Sequence, residues 1–269
     1  MILEKIAEST RKRVEIEKQQ VPLEEMKAEA LKIAAKEKED NGGTFSFPFY
    51  KALKEEGIHF ICEVKKASPS KGVIAKDFPY VQIAKEYEEA GASAISVLTE
   101  PDYFLGKREY LKEISEQVNI PLLRKDFTVD AYMIYNAKVI GASAVLLICS
   151  LLDAKTLKSY IDICESLGLS ALVEAHDEEE VAMALEAGAS IIGVNNRNLR
   201  DFTVDINNST RLRKLVPSEV VFIAESGIKT AEDIAVLREA NVNGVLIGET
   251  FMRSPNKKEM LEELRGCRG

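Results

Sequence analysis

EEAGASAISVLTE, residues 88–100, closes a helical pattern, turns at Gly91 and enters a run of Ala, Ile, Val and Leu. The same plan returns as KVIGASAVLLICS (138–150), LEAGASIIGVNN (185–196) and REANVNGVLIGE (238–249). Gly91, Gly141 and Gly188 suit the left-handed residue that ends a helix. The apolar runs that follow hardly alternate, which is how parallel strands covered on both faces read. Four more such runs lie at Ile58–Lys65, Ile120–Asp126, Leu169–Ala175 and Val220–Ser226, which brings the strand count to eight.

Amphipathic helical patterns fill the intervals. The segment Tyr80–Ala90 places Val81, Ile83, Ala84 and Tyr87 on one side, and Ala154–Leu167, Glu178–Ala187 and Ala231–Ala240 read alike. Asp77, Asp130, Asp153, Asp177 and Thr230 are N-cap candidates. Alternation of eight β and α units in 269 residues predicts an α/β fold, a (β/α)8 TIM barrel. An open doubly wound sheet is the alternative, but no GxGxxG follows the first strand to support a dinucleotide site.

Residues 1 to about 55 precede the first strand and read as helices, with Ile2, Ile6 and Ile16 on one face and Leu23, Met26 and Ile33 on the next. KEKED (36–40) followed by NGG (41–43) reads as a solvated turn. These helices carry too few apolar residues for a core of their own. The expectation is one domain over 1–269, with an N-terminal helical extension packed on the barrel.

Composition excludes several classes. With 46% hydrophobic and 30% charged residues the chain has a soluble globular balance. The longest apolar run, from Ala144 to Leu152, is too short to span a bilayer, and MILEKIAESTRKR lacks the apolar core of a secretory signal. No membrane partner is therefore expected, and the location is read as cytoplasmic. The four cysteines show no CxxC spacing, and Cys62 and Cys149 sit in apolar segments where a reduced thiol is the default. The two histidines, His59 and His176, form no ligand cluster, so no metal is expected. A net charge of −8 disfavours nucleic acid, although local lysines and arginines can still draw an anionic small molecule into one cleft.

The first strand continues as FICEVKKASPSKG (60–72), with Glu63 and Lys65 two residues apart and so on one face. A surface ion pair is the plainer reading of these two alone. Other strands also end in polar residues: Lys125–Asp126, Glu174, Asn195–Asn196 with Arg197, Glu225–Ser226–Gly227, and Gly248–Glu249. The C-terminal strand ends of a barrel converge on one rim, where lysines and carboxylates shift each other toward acid–base use. Ser226–Gly227 and Gly248 follow strands seven and eight, where barrels commonly bind phosphate through backbone N–H groups. The loop ASPSKGVIAKDF (67–78), stiffened by Pro69 and loosened by Gly72, suits a lid. Phe104, Phe127, Leu146 and Leu199 lie at or past strand ends and could wall a flat apolar group. His176 reads as a helix-start or structural residue.

EVKKASPSKG, LLRKDF, LVEAH, IGVNNRNL, IAESGI and LIGE, in this order, resemble the indole-3-glycerol phosphate synthase family of tryptophan biosynthesis. The resemblance spans nearly the whole chain, including FYKAL (49–53). It implies ring closure of 1-(2-carboxyphenylamino)-1-deoxyribulose 5-phosphate with loss of carbon dioxide and water, without a cofactor. By that likeness Lys125 is a general acid at the ketone. Glu174 is a base that also stabilises positive charge on the ring nitrogen. Glu63 and Lys65 assist proton transfer, with Lys65 also near the phosphate, and Asn195 positions polar atoms. Ser226, Gly227 and Gly248 contact phosphate and Arg197 an anion, while Ser68 belongs to the SPS stretch of the binding loop. Pro69, Phe104, Phe127 and Leu146 wall the anthranilate pocket. Where some members have a serine, Glu249 stands after Gly248, so backbone contact to phosphate is expected there. The implied partner is a phosphorylated aromatic small molecule, and the implied state is a monomer or a weak associate of other tryptophan-pathway enzymes.

Two other functions use the same residues. A Schiff-base aldolase would attack a ketose phosphate through Lys65 or Lys125, and borohydride would trap it. A silent barrel would bind a phosphorylated ligand without turnover.

Overall fold

Eight parallel strands close on themselves in chain order: β1 (His59–Val64), β2 (Ala94–Leu98), β3 (Leu122–Lys125), β4 (Ala144–Ile148), β5 (Ser170–Ala175), β6 (Ile191–Asn195), β7 (Val221–Glu225) and β8 (Gly244–Ile247), with β8 paired back to β1. The computed structural model describes residues 2–198 and 202–266, so Leu199 and Cys267 lie outside the described residues. Helices α4 (Tyr80–Glu89), α5 (Arg108–Ser115), α6 (Ala131–Val139), α7 (Ala154–Ser166), α8 (Glu178–Glu186), α9 (Asn207–Arg213) and α10 (Ala231–Glu239) separate successive strands. This is the TIM barrel expected from the sequence.

The rhythm has the predicted physical basis. Gly91, Gly141 and Gly188 end their helices at φ 87°, 88° and 88°, and Asn241 takes the same left-handed turn at φ 58° before β8. Strand residues then alternate between two cores. Phe60, Cys62 and Val64 pack outward with the helices, while Ile61 packs inward with Leu123, Leu146, Leu172, Ile223 and Leu246. A short helix, α3 (Pro48–Lys54), places Phe49 and Leu53 in the same interior cluster, both fully buried. Each such side chain contributes about 1.5–3 kcal/mol by leaving water.

Two longer helices form the N-terminal extension, α1 (Ile2–Gln20) and α2 (Leu23–Asp40). The buried face of α1 is Leu3, Ile6, Ala7, Thr10, Val14 and Glu17, a spacing of three and four. Ile16 was expected on that face but is 57% exposed, because two residues beyond Val14 is more than half a turn away. On α2 the buried residues are Met26, Ala30 and Ala34, with Leu23 and Ile33 only half-buried. Small alanines let α2 lie close on α6, where Lys138 bonds Glu37. KEKED is the last turn of α2 rather than part of the loop, and the turn begins at Asn41.

Asp130, Asp153, Asp177 and Thr230 cap α6, α7, α8 and α10 through side-chain oxygens. Asp77 does not cap α4. Pro79 stands at that N-cap, and a residue before proline is kept out of the helical region, so the helix starts at Tyr80. The last helices, α11 (Glu249–Arg253) and α12 (Lys257–Arg265), return the chain along the outside of β1 and α4. No helix among the described residues is long and apolar enough to cross a membrane.

Candidate active site

Inside the barrel the inward positions change character along the strands. Below, they are Leu and Ile; at the C-terminal ends they are Glu63, Lys125, Glu174, Asn195 and Glu225. Lys65 follows β1 on the same face. A cavity of about 550 Å3 opens over this layer. It is bordered by Glu63, Lys65, Lys125, Glu174 and Asn195, and by Ser226, Gly227 and Gly248 from the turns after β7 and β8. Ser68 and Pro69 reach it from the loop after β1, Arg197 from the loop after β6, and Phe104, Phe127 and Leu146 supply apolar wall.

Charge is unevenly paired at the cavity floor. The Lys125 ammonium lies 3.1 Å from Glu174 Oε2 and 3.2 Å from Glu225 Oε2. Burial works against that charge, but Glu174, Glu225 and Glu63 outweigh it and raise the Lys125 pKa, so the group is firmly protonated. Burial also opposes ionisation of Glu174, yet Lys125 and His176 prevail and hold its pKa below the ordinary value. Glu225 goes the other way: burial, reinforced by Glu174 and Glu63, pushes it up to about 7 despite Lys125. Two neighbouring carboxylates therefore divide into an ionised one and one that titrates near neutrality, the pattern that separates acid from base. Glu63 and Lys65 form their own contact beside them.

Asn195 Nδ2 donates to Glu174 Oε1 at 3.4 Å, and its Oδ1 accepts from the Arg197 N–H at 3.0 Å. The Arg197 head donates to the Phe202 carbonyl at 3.2 Å, which ties it to the strap that also carries Val204. Ser226 and Gly227 are successive left-handed residues, φ 69° and 83°, and such a conformation is strained for serine. Asn196, expected at the rim, points away from the cavity instead. Its Nδ2 donates to the Ser226 carbonyl at 3.1 Å and its Oδ1 accepts from Ser209, so it braces the turn from behind. Asp126, also expected at the rim, faces outward to Arg13, Arg124 and Thr99. Both corrections follow from strand periodicity, because the neighbour of an inward residue points out.

Two glycines make room for charge. A side chain at Gly248 would overlap Glu63 Oε2 and stand 2.8 Å from Lys65 Nζ. One at Gly193 would overlap the Glu225 carboxylate. Glu249 turns to Arg253 at 3.0 Å and Lys71 at 3.8 Å. Phe104 and Phe127 lie 5.8 Å apart at 39°, and Glu100 holds the Phe104 loop by accepting from three backbone N–H groups.

Sequence reasoning gave no role to several residues that border the cavity. Glu225 was read only as a strand end, and Gly193, which faces the Glu225 carboxylate and does not itself border the cavity, had no reading. Ile2, Leu3 and Ile6 bring α1 to the cavity as a wall. The signal for Glu225 was its inward parity with Ile223; the α1 contact had none beyond an apolar face. Among the described residues no three His, Cys, Asp or Glu side chains gather as a metal site.

A closed parallel barrel with lysines and carboxylates gathered over one cavity at its strand ends has the architecture of a TIM-barrel enzyme. The sequence pattern of the indole-3-glycerol phosphate synthase family matches residues 3–264, and the chain belongs to that family. It is 58% identical over 266 residues to the indole-3-glycerol phosphate synthase of Ruminiclostridium cellulolyticum, covering 99% of each chain. Against the protein of the same name from Lacticaseibacillus paracasei the identity is 51%, covering 97% of each. Solved structures of similar fold include a 3-hexulose-6-phosphate synthase from Salmonella typhimurium, with TM-score 0.64 and 15% identity over 78% of this chain and 98% of that one. A thiamine phosphate pyrophosphorylase from Pyrococcus furiosus gives 0.59 and 17%, over 80% and 96%. At such identity these two show the fold alone.

Proposed function

We propose that the cavity carries the family's reaction through the residues named above. The enzyme is an indole-3-glycerol phosphate synthase, a carboxy-lyase of tryptophan biosynthesis. It converts 1-(2-carboxyphenylamino)-1-deoxyribulose 5-phosphate into indole-3-glycerol phosphate, carbon dioxide and water. The observation that carries the assignment of roles is Lys125, held between Glu174 and Glu225 on the cavity floor.

Ring closure joins the carboxylate-bearing ring carbon to the ketone carbon. The ketone oxygen gains negative charge and the ring nitrogen positive charge. Lys125, firmly protonated, donates to the oxygen, and ionised Glu174 stabilises the nitrogen. Carbon dioxide then leaves with its bonding electrons returned to the ring. Glu225, titrating at about 7, can hand a proton back to Lys125 between steps. Dehydration needs an acid at the hydroxyl and a base for the ring proton, and Glu63 with Lys65 supplies both. Asn195 keeps Glu174 oriented.

Support for phosphate at Ser226, Gly227 and Gly248 is the left-handed turn and the place of all three on the cavity border, with Lys65 beside Gly248. Arg197 stands at the same rim for the substrate's other anionic atoms. Phe104, Phe127, Leu146 and Pro69 receive the aromatic ring, and Ser68 anchors the loop as a lid. The same reading takes residues 1–269 as one domain acting in the cytoplasm on a small molecule, as a monomer or in weak association with other enzymes of the pathway. Borohydride added during turnover tests the chemistry. The expected result is unmodified enzyme and one carbon dioxide released per product; a reduced lysine adduct would replace this reading with the aldolase.

A further inference from the structure

His176 lies just beyond β5, two residues after Glu174, and the reaction described above does not use it. Its surroundings are built. Glu180 Oε2 accepts from the His176 backbone N–H at 2.8 Å and meets ring Nδ1 at 3.1 Å. Asn208 Nδ2 donates to the His176 carbonyl at 3.1 Å. Glu180 is itself fixed in the first turn of α8, where Asp177 Oδ1 accepts its N–H at 2.9 Å. Ring and backbone are thus clamped, and Nε2 points to Glu174, 3.5 Å from Oε1.

The proton count follows from this geometry. A carboxylate only accepts, so Nδ1 must carry a hydrogen toward Glu180. If the ring were neutral, Nε2 would be a bare lone pair, buried, without a hydrogen-bond partner and facing a second carboxylate. That arrangement combines an unsatisfied acceptor with repulsion. Protonation turns the repulsion into attraction, since Nε2–H then faces Glu174 Oε1 at 3.5 Å. A histidine that only starts a helix would explain the Nδ1 contact and leave the burial of Nε2 against Glu174 without a cause.

We propose that His176 is a positioning residue for Glu174: an imidazolium held by Glu180 that donates from Nε2 to Glu174 Oε1 and keeps this carboxylate ionised and turned into the cavity. Lys125 serves Oε2 from the other side, and Asn195 shares Oε1. Contacts of this kind commonly tighten when a substrate is bound.

The groups facing the ring agree in sign. Burial favours the neutral ring, but Glu180, Glu174 and Glu225 outweigh it and raise the His176 pKa above its ordinary 6.5. The Cys149 thiol on the neighbouring turn donates to the Glu180 carbonyl and, pushed up to about 12, stays neutral. Arg211 on α9 is engaged by Glu178 and Asn208. A raised pKa favours the imidazolium, and its effect on Glu174 is lost as pH rises through the pKa of the folded state.

The inference rests on the proposed role of Glu174, and its test separates the two. The protein has two histidines, so 15N imidazole spectra show one ring against the other as an internal reference. His176 is expected to carry protons on both nitrogens at pH 7, with a pKa that falls by about one unit in Glu174→Gln and in Glu180→Gln. A neutral ring at pH 7, or a pKa untouched by Glu174→Gln, overturns the proposal whether or not the enzyme turns over. In kinetics, His176→Gln should move the acid limb of the kcat/KM profile up by about one pH unit and lower kcat about tenfold. An unmoved limb in a folded variant also overturns it. Should His176→Gln fail to fold, Glu180→Gln must show the same limb shift. Absence of any indole product from the parent would sink the role of Glu174 while leaving the spectral result to stand on its own.

Discussion

Lys125 and Asp126 are neighbours on one strand end, and they sit in two buried ionic clusters of opposite kind. Asp126 faces outward. Its two oxygens accept from Arg13 at 2.8 Å, the Phe127 N–H at 2.9 Å, Thr99 at 2.7 Å and Arg124 at 3.3 Å. Arg124 spends its remaining donors on Met133, Asn136 and Thr99. Each of its carboxylate oxygens has partners, although Asp126 also borders the cavity beside Lys125. Lys125 faces inward, where Glu63, Glu174 and Glu225 crowd around it and Glu225 Oε1 has no hydrogen-bond partner. Saturated pairing fixes α1 and α6 to the barrel; unequal pairing beneath an open cavity leaves charge free to meet a substrate. Both clusters are buried, and what separates them is the balance of donors and acceptors.

The comparison breaks first at its two central residues. Lys125→Ala should lower kcat/KM per folded molecule by about 10²–10⁴-fold, the usual contribution of a general acid, a loss that outweighs any cost to stability from unpairing Glu174 and Glu225. Near-parental turnover would remove Lys125 from the chemistry. Asp126→Ala should do the reverse, costing about 3–5 kcal/mol of stability by leaving Arg124 buried and unpaired. Turnover per folded molecule should stay within a few-fold, and urea unfolding beside an activity assay checks both. A variant that stays fully stable but stops turning over would put the outward cluster in the mechanism.

Glu225 sharpens the contrast through pH. Its pKa in the fold is about 7, against an ordinary 4.5, so between those values the native state holds a proton that the unfolded chain has released. Stability must therefore fall as pH rises through this window, by about 3 kcal/mol for this group. Glu225→Gln should flatten that slope and remove an inflection near neutrality from the kcat/KM profile. Denaturation curves at several pH values decide, and an unchanged slope would place the carboxyl's titration elsewhere. The smallest effect is expected at Ser226→Ala, a few-fold rise in KM, since backbone donors survive the change. A loss of several hundred-fold there would mean that the hydroxyl itself holds the anion. Gly248→Val is not a clean partner for this variant, because its side chain would press on Glu63 and Lys65.

The barrel was legible because helix-ending glycines and two-sided apolar runs are local signals, repeated often enough to count. Glu63 and Lys65 were legible by their spacing of two. The same spacing turns the side chains of Asp126 and Asn196 away from the barrel interior, and applying it strictly would have kept them apart from Lys125 and Asn195. Glu225 was not legible, since its meaning depends on Lys125, 100 residues earlier, and on Gly193 leaving space for it. The partnership of Arg13 with Asp126 joins positions 113 apart in sequence, and no local pattern announces it. Ile2, Leu3 and Ile6 showed an apolar face but not that part of it would meet the cavity. His176, two residues after Glu174, had the spacing but sits past the end of the strand, where parity alone does not fix direction.

The most direct measurement is the rise of indole fluorescence after synthetic 1-(2-carboxyphenylamino)-1-deoxyribulose 5-phosphate is mixed with equal folded amounts of the parent and of Lys125→Ala and Asp126→Ala. The account predicts rapid product formation by the parent and by Asp126→Ala, and almost none by Lys125→Ala. Equal rates in the parent and Lys125→Ala, or no product from the folded parent, would contradict it.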